Sequence, residues 1–306
     1  MNFQQLRIIR ETVKRNFNLT DVAAALHTSQ SGVSKHLKEL ENELGVELFF
    51  RKGKRLLGLT EPGKNMLRYV ERILIDADNI KNVADHYGQQ DQGRLTVATT
   101  HTQARYTLPA VVVAFKKMYP KVHLKLHQGS PVEISRMLLE GDADIGVATE
   151  TLGLVPELES FAYYNWHHNV IVPVGHPLAE TKDLTLEELA SFPIVTYHEG
   201  FTGRAVIEEA FKKAEIAHDI VLSALDADVI KSYVRLEMGV GIVASMAIAP
   251  EGEAGLVNLG GAGLFARNTT RIAVRRDKLL RLYGYRFIEL CVPELTVERL
   301  SAYNEL

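Results

Sequence analysis

At 306 residues with a net charge of −3, the chain is longer than most single domains, so two or more are expected; its one cysteine excludes an internal disulfide. Its 46% apolar and 24% charged residues are ordinary globular values, and no apolar run approaches the roughly 18 residues of a membrane span, which excludes an integral helical membrane protein. The charge is uneven, because residues 1–60 hold ten Lys/Arg and six Asp/Glu, a balance of +4 that leaves −7 for the rest; a basic head preceding an acidic body points to a polyanion partner at the N-terminus.

The opening "MNFQQLRIIRETVKRNFN" lacks the uninterrupted apolar core of a signal peptide, so a cytoplasmic protein is expected. Phe3, Leu6, Ile9 and Val13 recur at helical spacing. "LTDVAAALH" then reads as a short helix with Thr20 as its N-cap. A brief break leads into "SQSGVSKHLKELENELG", where Ser29 caps a second helix, Val33, Leu37, Leu40 and Leu44 form the buried stripe, and Gly45 ends it. Two helices joined by a tight turn, the second rich in small polar residues at its start, describe a helix-turn-helix. Ser29, Gln30, Ser31, Ser34, Lys35 and Lys38 are the candidate DNA-facing residues, since glutamine and serine bond base edges and lysine reaches guanine or phosphate. An ordinary helical hairpin with a solvated polar face is the plainer alternative. "FFRKGKRLLGLT" weighs against it, because Arg51, Lys52, Lys54 and Arg55 surround a glycine between apolar runs. That pattern reads as a basic β-hairpin wing that touches phosphates, with Arg51, Lys54 and Arg55 as contacts.

"TSQSGVSKHLKELENELGVELFFR", followed by "LTEPGK", resembles the N-terminal winged helix-turn-helix of the LysR-type transcriptional regulators. The run from Leu40-Glu41 through Leu44-Gly45 and Leu48-Phe49 to Arg51 is the specific part of that resemblance.

Residues 61–91 read as a linker. From Pro62, the residues Met66, Val70, Ile73, Ala77, Ile80, Ala84 and Tyr87 alternate spacings of 4 and 3, the seam of a dimerising helix, with a long helix packed on its own domain as the plainer alternative. "GQQDQG" then supplies a hinge. With 1–60 as the DNA-binding head, this leaves 92–306 as the body.

The body alternates strand and helix: "RLTVAT", "VHLKLHQGS", "ADIGVAT", "HNVIVPV", "FPIVTY", "IVLSALDA" and "VGIVASM" are strands with helical stretches between most of them. Repeated βα units over this length predict two α/β lobes built on parallel sheets. In such sheets ligands bind beyond the carboxyl ends of strands, near helix N-termini. The sequence shows no Walker loop, no GxGxxG after a strand, no CxxC and no HExxH. His167 and His168 are adjacent on a strand-like stretch and point to opposite faces, so they do not chelate one ion. In "LDADV", Asp226 or Asp228 is a natural N-cap. Cys291, among apolar neighbours, reads as a buried, inert thiol.

What stands out is a set of hydroxyls at strand or loop ends. Thr100, Thr102 and Gln103 end the first strand and open its helix, Thr149 ends "ADIGVAT", and Thr202 sits where a loop enters a helix. Each alone is an ordinary cap. Together they offer hydroxyls and free backbone N–H groups around one crevice, a site for a small anion that needs no lysine or arginine.

The body resembles the effector domain of the LysR-type regulators, which is built like a periplasmic binding protein. "TTHTQARY", "HQGSP", "TGR", "DADVIKSYVRL" and "GVGIVASMA" are similar to the CysB/Cbl branch of that family. The resemblance implies effector contacts at Thr100, Thr102, Gln103, Thr149 and Thr202. It implies N-acetylserine or O-acetylserine as effector, sulfate or thiosulfate as other ligands, promoter DNA and RNA polymerase as partners, a tetrameric assembly, and control of sulfur assimilation and cysteine biosynthesis. Trp166, beside the expected crossover between lobes, is either a further effector contact or a buried structural tryptophan. The wing "GKRLLGLTEPGK" looks more like Cbl, which implies a regulator of sulfonate or alternative sulfur sources, whereas "EGFTGR" and "DADVIK" look more like CysB. The ending "LSAYNEL" lacks the longer tail expected of some CysB proteins. A small-molecule carrier and an α/β enzyme are the rival readings. The basic head opposes the first, and the second lacks a nucleophile placed with a base. His101 and Arg105 have no assigned ligand role, and no cofactor is expected.

Overall fold

The computed structural model describes residues 1–53, 55–87, 91–201 and 203–303, with 85–87, 150 and 301–303 described by backbone alone. The chain forms two compact units, Met1–Tyr87 with Asp277–Leu279, and the remainder.

In the first unit, α1 (Phe3–Lys14) starts at a capping box in which Asn2 and Gln5 exchange side-chain-to-backbone bonds. The next helix, α2 (Leu19–Ala25), is capped by Asn18, whose Oδ1 accepts from the Thr20 N–H. The expected Thr20 cap is thus displaced two residues, because Asn18 already holds the extended backbone a cap needs. In α3 (Gln30–Leu44), the Ser29 hydroxyl accepts from the Gly32 N–H at 3.0 Å and Gly45 ends the helix at φ +71°. Val33, Leu37 and Leu40 are buried as the stripe predicts, but Leu44 in the last turn is exposed.

The hairpin β1 (Phe49–Lys52) and β2 (Arg55–Leu59) pairs Phe49 with Leu59 and Lys52 with Arg55. The helix α4 (Glu61–Tyr87) follows at once. Gly63 in its first turn passes so near the Leu48 carbonyl that a Cβ there would lie 2.2 Å from the oxygen. The core joins Ile8, Ile9, Val22, Leu48, Phe49 and the α3 stripe to Val70 and Leu74 of α4. This corrects the expected seam: Met66 and Val70 pack inward with Leu67 and Leu74, while Ile73 and Ile80 face solvent, Ile80 with 72% of its surface exposed. The first turns of α4 carry two apolar faces, and a single 4-and-3 spacing merges them.

The second unit contains two lobes. The first holds β3 (Gly93–Thr99), a π-helical turn Gln103–Thr107, α5 (Leu108–Met118), β4 (Val122–Gln128), α6 (Pro131–Leu139), β5 (Ile145–Ala148) and β6 (Leu158–Trp166). The chain then builds the other lobe from β7 (His168–Pro173), α7 (Leu186–Ala190), β8 (Ile194–Tyr197), α8 (Arg204–Ala214), β9 (Ile220–Ala224), α9 (Ala227–Arg235), β10 (Val240–Ala244) and β11 (Leu256–Gly260). It returns through β12 (Asn268–Arg275), α10 (Leu282–Cys291) and α11 (Val297–Tyr303) to the first.

The strand orders are β4-β3-β5-β12-β6 and β11-β7-β10-β8-β9. Both sheets are mixed, where wholly parallel ones were expected. In each, one strand runs against its neighbours: β12 is antiparallel to β5 and β6, and β7 is antiparallel to β10 and β11. These are the two strands by which the chain arrives from the other lobe. A chain leaving the carboxyl edge of one sheet and entering the facing carboxyl edge of the other must run backwards through it. The two edges therefore face each other across the crossovers, which is where the site residues gather.

Candidate functional site

On the first unit, one concavity of about 1140 Å³ is lined by Gln30, Ser31, Ser34, Lys35, Lys38, Glu41 and Arg51 among others. A second, of about 700 Å³, brings Gln30 and Arg55 together with Arg15, a cation the sequence reading did not single out. The exposed Ser29 hydroxyl lies 3.1 Å from that of Ser31. Arg51 donates to Glu41, whose other carboxylate oxygen accepts from the Leu48 and Phe49 N–H groups at 2.8 and 3.3 Å. Glu41 is buried, so one carboxylate fixes the strand entry and one wing cation together. Lys54 lies outside the described residues.

In the second unit, β3 and β5 are adjacent and parallel, with Thr99 opposite Val147. Thr100 and Thr149 follow their carboxyl ends, and both are buried. The Thr100 carbonyl accepts from the Ala104 N–H at 3.1 Å and opens the π-helical turn. That turn was not legible as such, and its wider girth carries Gln103 inward while Arg105 and Tyr106 reach Asp228 of α9. The Gln103 carboxamide accepts from the Tyr164 hydroxyl at 2.6 Å and donates to the Thr270 hydroxyl at 3.2 Å. The Trp166 indole N–H donates to the same Thr270 oxygen at 3.1 Å. Trp166 is buried, with its ring 5.0 Å from that of His168.

The buried Thr102 side chain is hydrogen-bonded to Tyr197 at the carboxyl end of β8, in the opposite lobe. The Tyr197 hydroxyl also accepts from the Ala244 N–H at 3.0 Å, and burial raises its pKa above the ordinary value. The structure thus brings Thr100, Thr102, Gln103, Thr149 and Trp166 to the facing edges, while Thr202 lies outside the described residues. Tyr164, Tyr197 and Thr270 were missed, because each reads as an ordinary strand residue. Asp226, not Asp228, caps α9, accepting from the Val229 N–H at 2.9 Å. Asp228 instead pairs with Arg105 at 3.3 Å, so Arg105 reaches the other lobe. Among the described residues, no group of three or more His, Cys, Asp or Glu side chains is arranged to hold a metal ion, and no helix is long and apolar enough to cross a membrane.

A helix-turn-helix with a basic wing, followed by a body whose two lobes bury hydroxyls between facing sheet edges, defines a ligand-binding regulator class. Residues 3–64 match the bacterial regulatory helix-turn-helix protein, lysR family, and residues 88–296 match the LysR substrate binding domain. The chain is 55% identical to the HTH-type transcriptional regulator SsuR of Burkholderia cenocepacia, over 98% of both chains. It is 50% identical to the HTH-type transcriptional regulator CysB of the same organism, over 96% of this chain and 94% of that one. The crystal structure of the cofactor-binding domain of the Cbl transcriptional regulator superposes with a TM-score of 0.66 at 46% identity, covering 69% of this chain and 92% of that one. The chain belongs to the LysR family of transcriptional regulators, on the branch that includes SsuR, Cbl and CysB. This family and these relatives are regulators, not enzymes.

Proposed function

We propose that this chain controls genes of sulfur assimilation and cysteine biosynthesis, switched by N-acetylserine or O-acetylserine held between the two lobes, with sulfate or thiosulfate as other ligands. What carries this reading is the buried hydroxyl pair Thr100 and Thr149 at neighbouring parallel strand ends, with Thr102 and Gln103 in the turn that follows. Such donors suit a short ligand with a carboxylate and an acyl carbonyl, and they bind an anion without a buried cation. Promoter DNA is read by Ser29, Gln30, Ser31, Ser34, Lys35 and Lys38, and its phosphates are met by Arg51, Lys54 and Arg55. Two chains pair along α4 through Ile73, Ile80 and Val83, which are exposed in the single chain, and pairs assemble into a cytoplasmic tetramer that engages RNA polymerase. The ligand acts by population shift, so it must bind one lobe closure more tightly than the other.

A second reading, a Cbl-like regulator of sulfonate or other alternative sulfur sources, is supported by the 51% identity to the HTH-type transcriptional regulator cbl of Escherichia coli, beside 50% to CysB. Calorimetry with both acetylserines, sulfate and thiosulfate, with and without promoter DNA, separates the two. The first reading expects an acetylserine to bind and to change DNA affinity, with Thr102→Ala weakening it about tenfold. Unchanged affinity in that variant sinks the crevice assignment, and a response confined to an inorganic anion favours the second reading.

A further inference from the structure

Asn268 opens β12 directly opposite Trp166 of β6. Thr270, two residues on and therefore on the same face of the strand, is where Trp166 and Gln103 both donate. Asn268 thus shares its face with the hydrogen-bond set that holds Gln103 at the first lobe's sheet edge. Its side chain is fully buried, yet neither Nδ2 nor Oδ1 finds a hydrogen-bond partner among the described residues. A buried carboxamide with both ends unmet is costly, and native chains keep one where something else completes it.

The surroundings show where that something enters. Gly203 precedes the first turn of α8 at φ +69°, with no side chain capping the helix. A Cβ on residue 203 would lie 2.5 Å from Asn268 Oδ1 and 2.8 Å from a His168 ring carbon. Glycine there lets the carboxamide come up against an uncapped helix N-terminus, where backbone N–H groups and the helix dipole favour negative charge. A charge-favouring helix end and a neutral donor–acceptor pair therefore meet at one point.

We propose that Asn268 is a ligand-reading residue of the interlobe site, and that its carboxamide favours ligands with an amide N–H beside a carbonyl, N-acylated amino acids, over bare oxyanions. This rests on the crevice placement proposed above. A secondary amide offers one donor and one acceptor and satisfies both ends of Asn268, whichever way its carboxamide is turned. Sulfate only accepts, so it satisfies the Nδ2 end and leaves Oδ1 buried and unpaired. The ester group of O-acetylserine has no N–H beside its carbonyl and meets the carboxamide as an acceptor only, its donors sitting apart on the charged α-ammonium. Sites that hydrogen-bond a ligand N–H discriminate strongly against analogues lacking it.

The test is calorimetry on the full chain with N-acetylserine and with sulfate, comparing the parent, Asn268→Leu and Thr102→Ala. Asn268→Leu keeps the number and branching of side-chain heavy atoms and removes both unmet polar atoms. It is expected to weaken N-acetylserine by about tenfold or more while moving sulfate by less than about threefold. N-acetylserine affinity within twofold of the parent, or equal weakening of both ligands, overturns the inference. Thr102→Ala separates the two proposals: if it leaves both affinities unchanged, the crevice placement itself fails. A parent that binds no N-acetylserine overturns both together. Should Asn268→Leu not fold, Asn268→Ala is read by the same criteria.

Discussion

The Tyr106 hydroxyl donates to Asp228 at 2.6 Å and so joins the π-helical turn after β3 to the first turn of α9 in the opposite lobe. Lys231 adds a 3.2 Å ion pair to the same carboxylate and a 2.9 Å pair to Glu253. Because Gln103 begins the turn that Tyr106 belongs to, this latch and the candidate effector site share one piece of backbone. Tyr106→Phe is expected to remove about 1 kcal/mol of lobe-to-lobe attachment and to speed amide exchange in the first turn of α9. Unchanged exchange there would show that the ion pairs alone set the closure.

Burial raises the Asp228 pKa, but hydrogen bonds from Tyr106 and Lys231 outweigh that, and the net value is lowered. Burial lowers the Lys231 pKa, but the hydrogen bonds it donates to Glu253 and Tyr106, with the charge interactions beside them, outweigh it, and the net value is raised. A depressed carboxylate contributes stability above its ordinary value near pH 4 and loses it as pH falls through the lower folded value. A raised ammonium contributes below its ordinary value near pH 10.4 and loses it as pH rises through the higher folded value. Between about pH 5 and 9 the latch should be flat, and Tyr106→Phe should cost the same melting-temperature drop throughout. A step near neutral pH would place a histidine in the latch instead.

Glu41 is a buried carboxylate holding two backbone N–H groups and the Arg51 guanidinium. Truncating it orphans buried donors and frees the cation, so Glu41→Ala should destabilise the N-terminal unit by about 3 kcal/mol. Urea unfolding followed by amide exchange at Leu48 and Phe49 reads this directly. A loss under about 1 kcal/mol would mean that water replaces the carboxylate at no cost.

Lys35 and Lys38 are exposed along the α3 hollow, and Lys35 makes a loose 3.8 Å pair with Glu39. If Lys38 meets a phosphate, Lys38→Ala lowers the slope of log affinity against log salt by about 0.9, uniformly across DNA sequences. Gln30→Ala should instead change which operators are preferred while leaving the slope nearly unaltered. The reverse pattern in gel shifts would exchange the two roles.

Burial pushes the Cys291 thiol up to about 12. At pH 8 its thiolate fraction should be roughly a thousandfold below that of an ordinary thiol near 8.5. Alkylation by iodoacetamide, followed by mass spectrometry, should be slow in native protein and rapid in guanidinium. Fast native labelling would show that α10 opens.

What could be read in the sequence followed from local physics. Val33, Leu37 and Leu40 declare their buried face by spacing alone, and Gly45 declares the helix end by the left-handed backbone it permits. The Thr20 cap failed because two adjacent polar residues compete and backbone conformation decides between them. The α4 seam departs at Met66 and Val70, which join Leu67 and Leu74 in the core of their own unit, a packing partner that spacing cannot reveal. Strand direction in β7 and β12 depends on which lobe the chain comes from, a non-local fact. Thr100, Thr102, Gln103 and Thr149 stood out as polar residues at strand ends. Tyr164 and Thr270, which bond Gln103, and Tyr197, which bonds Thr102, did not, since a hydroxyl on a strand signals nothing until its neighbour in space is known.

The chain passes between the lobes twice, once at His167 between β6 and β7, and once at residues 266–267 between Phe265 of the second lobe's core and β12. Two pivots define a line. Rotation about that line is the soft motion of the body, because sliding or twisting would stretch one pivot against the other. Ligands of unlike chemistry, if held at the sheet edges as proposed, would push on the same door, and the angle through which it swings would be what separates one signal from another.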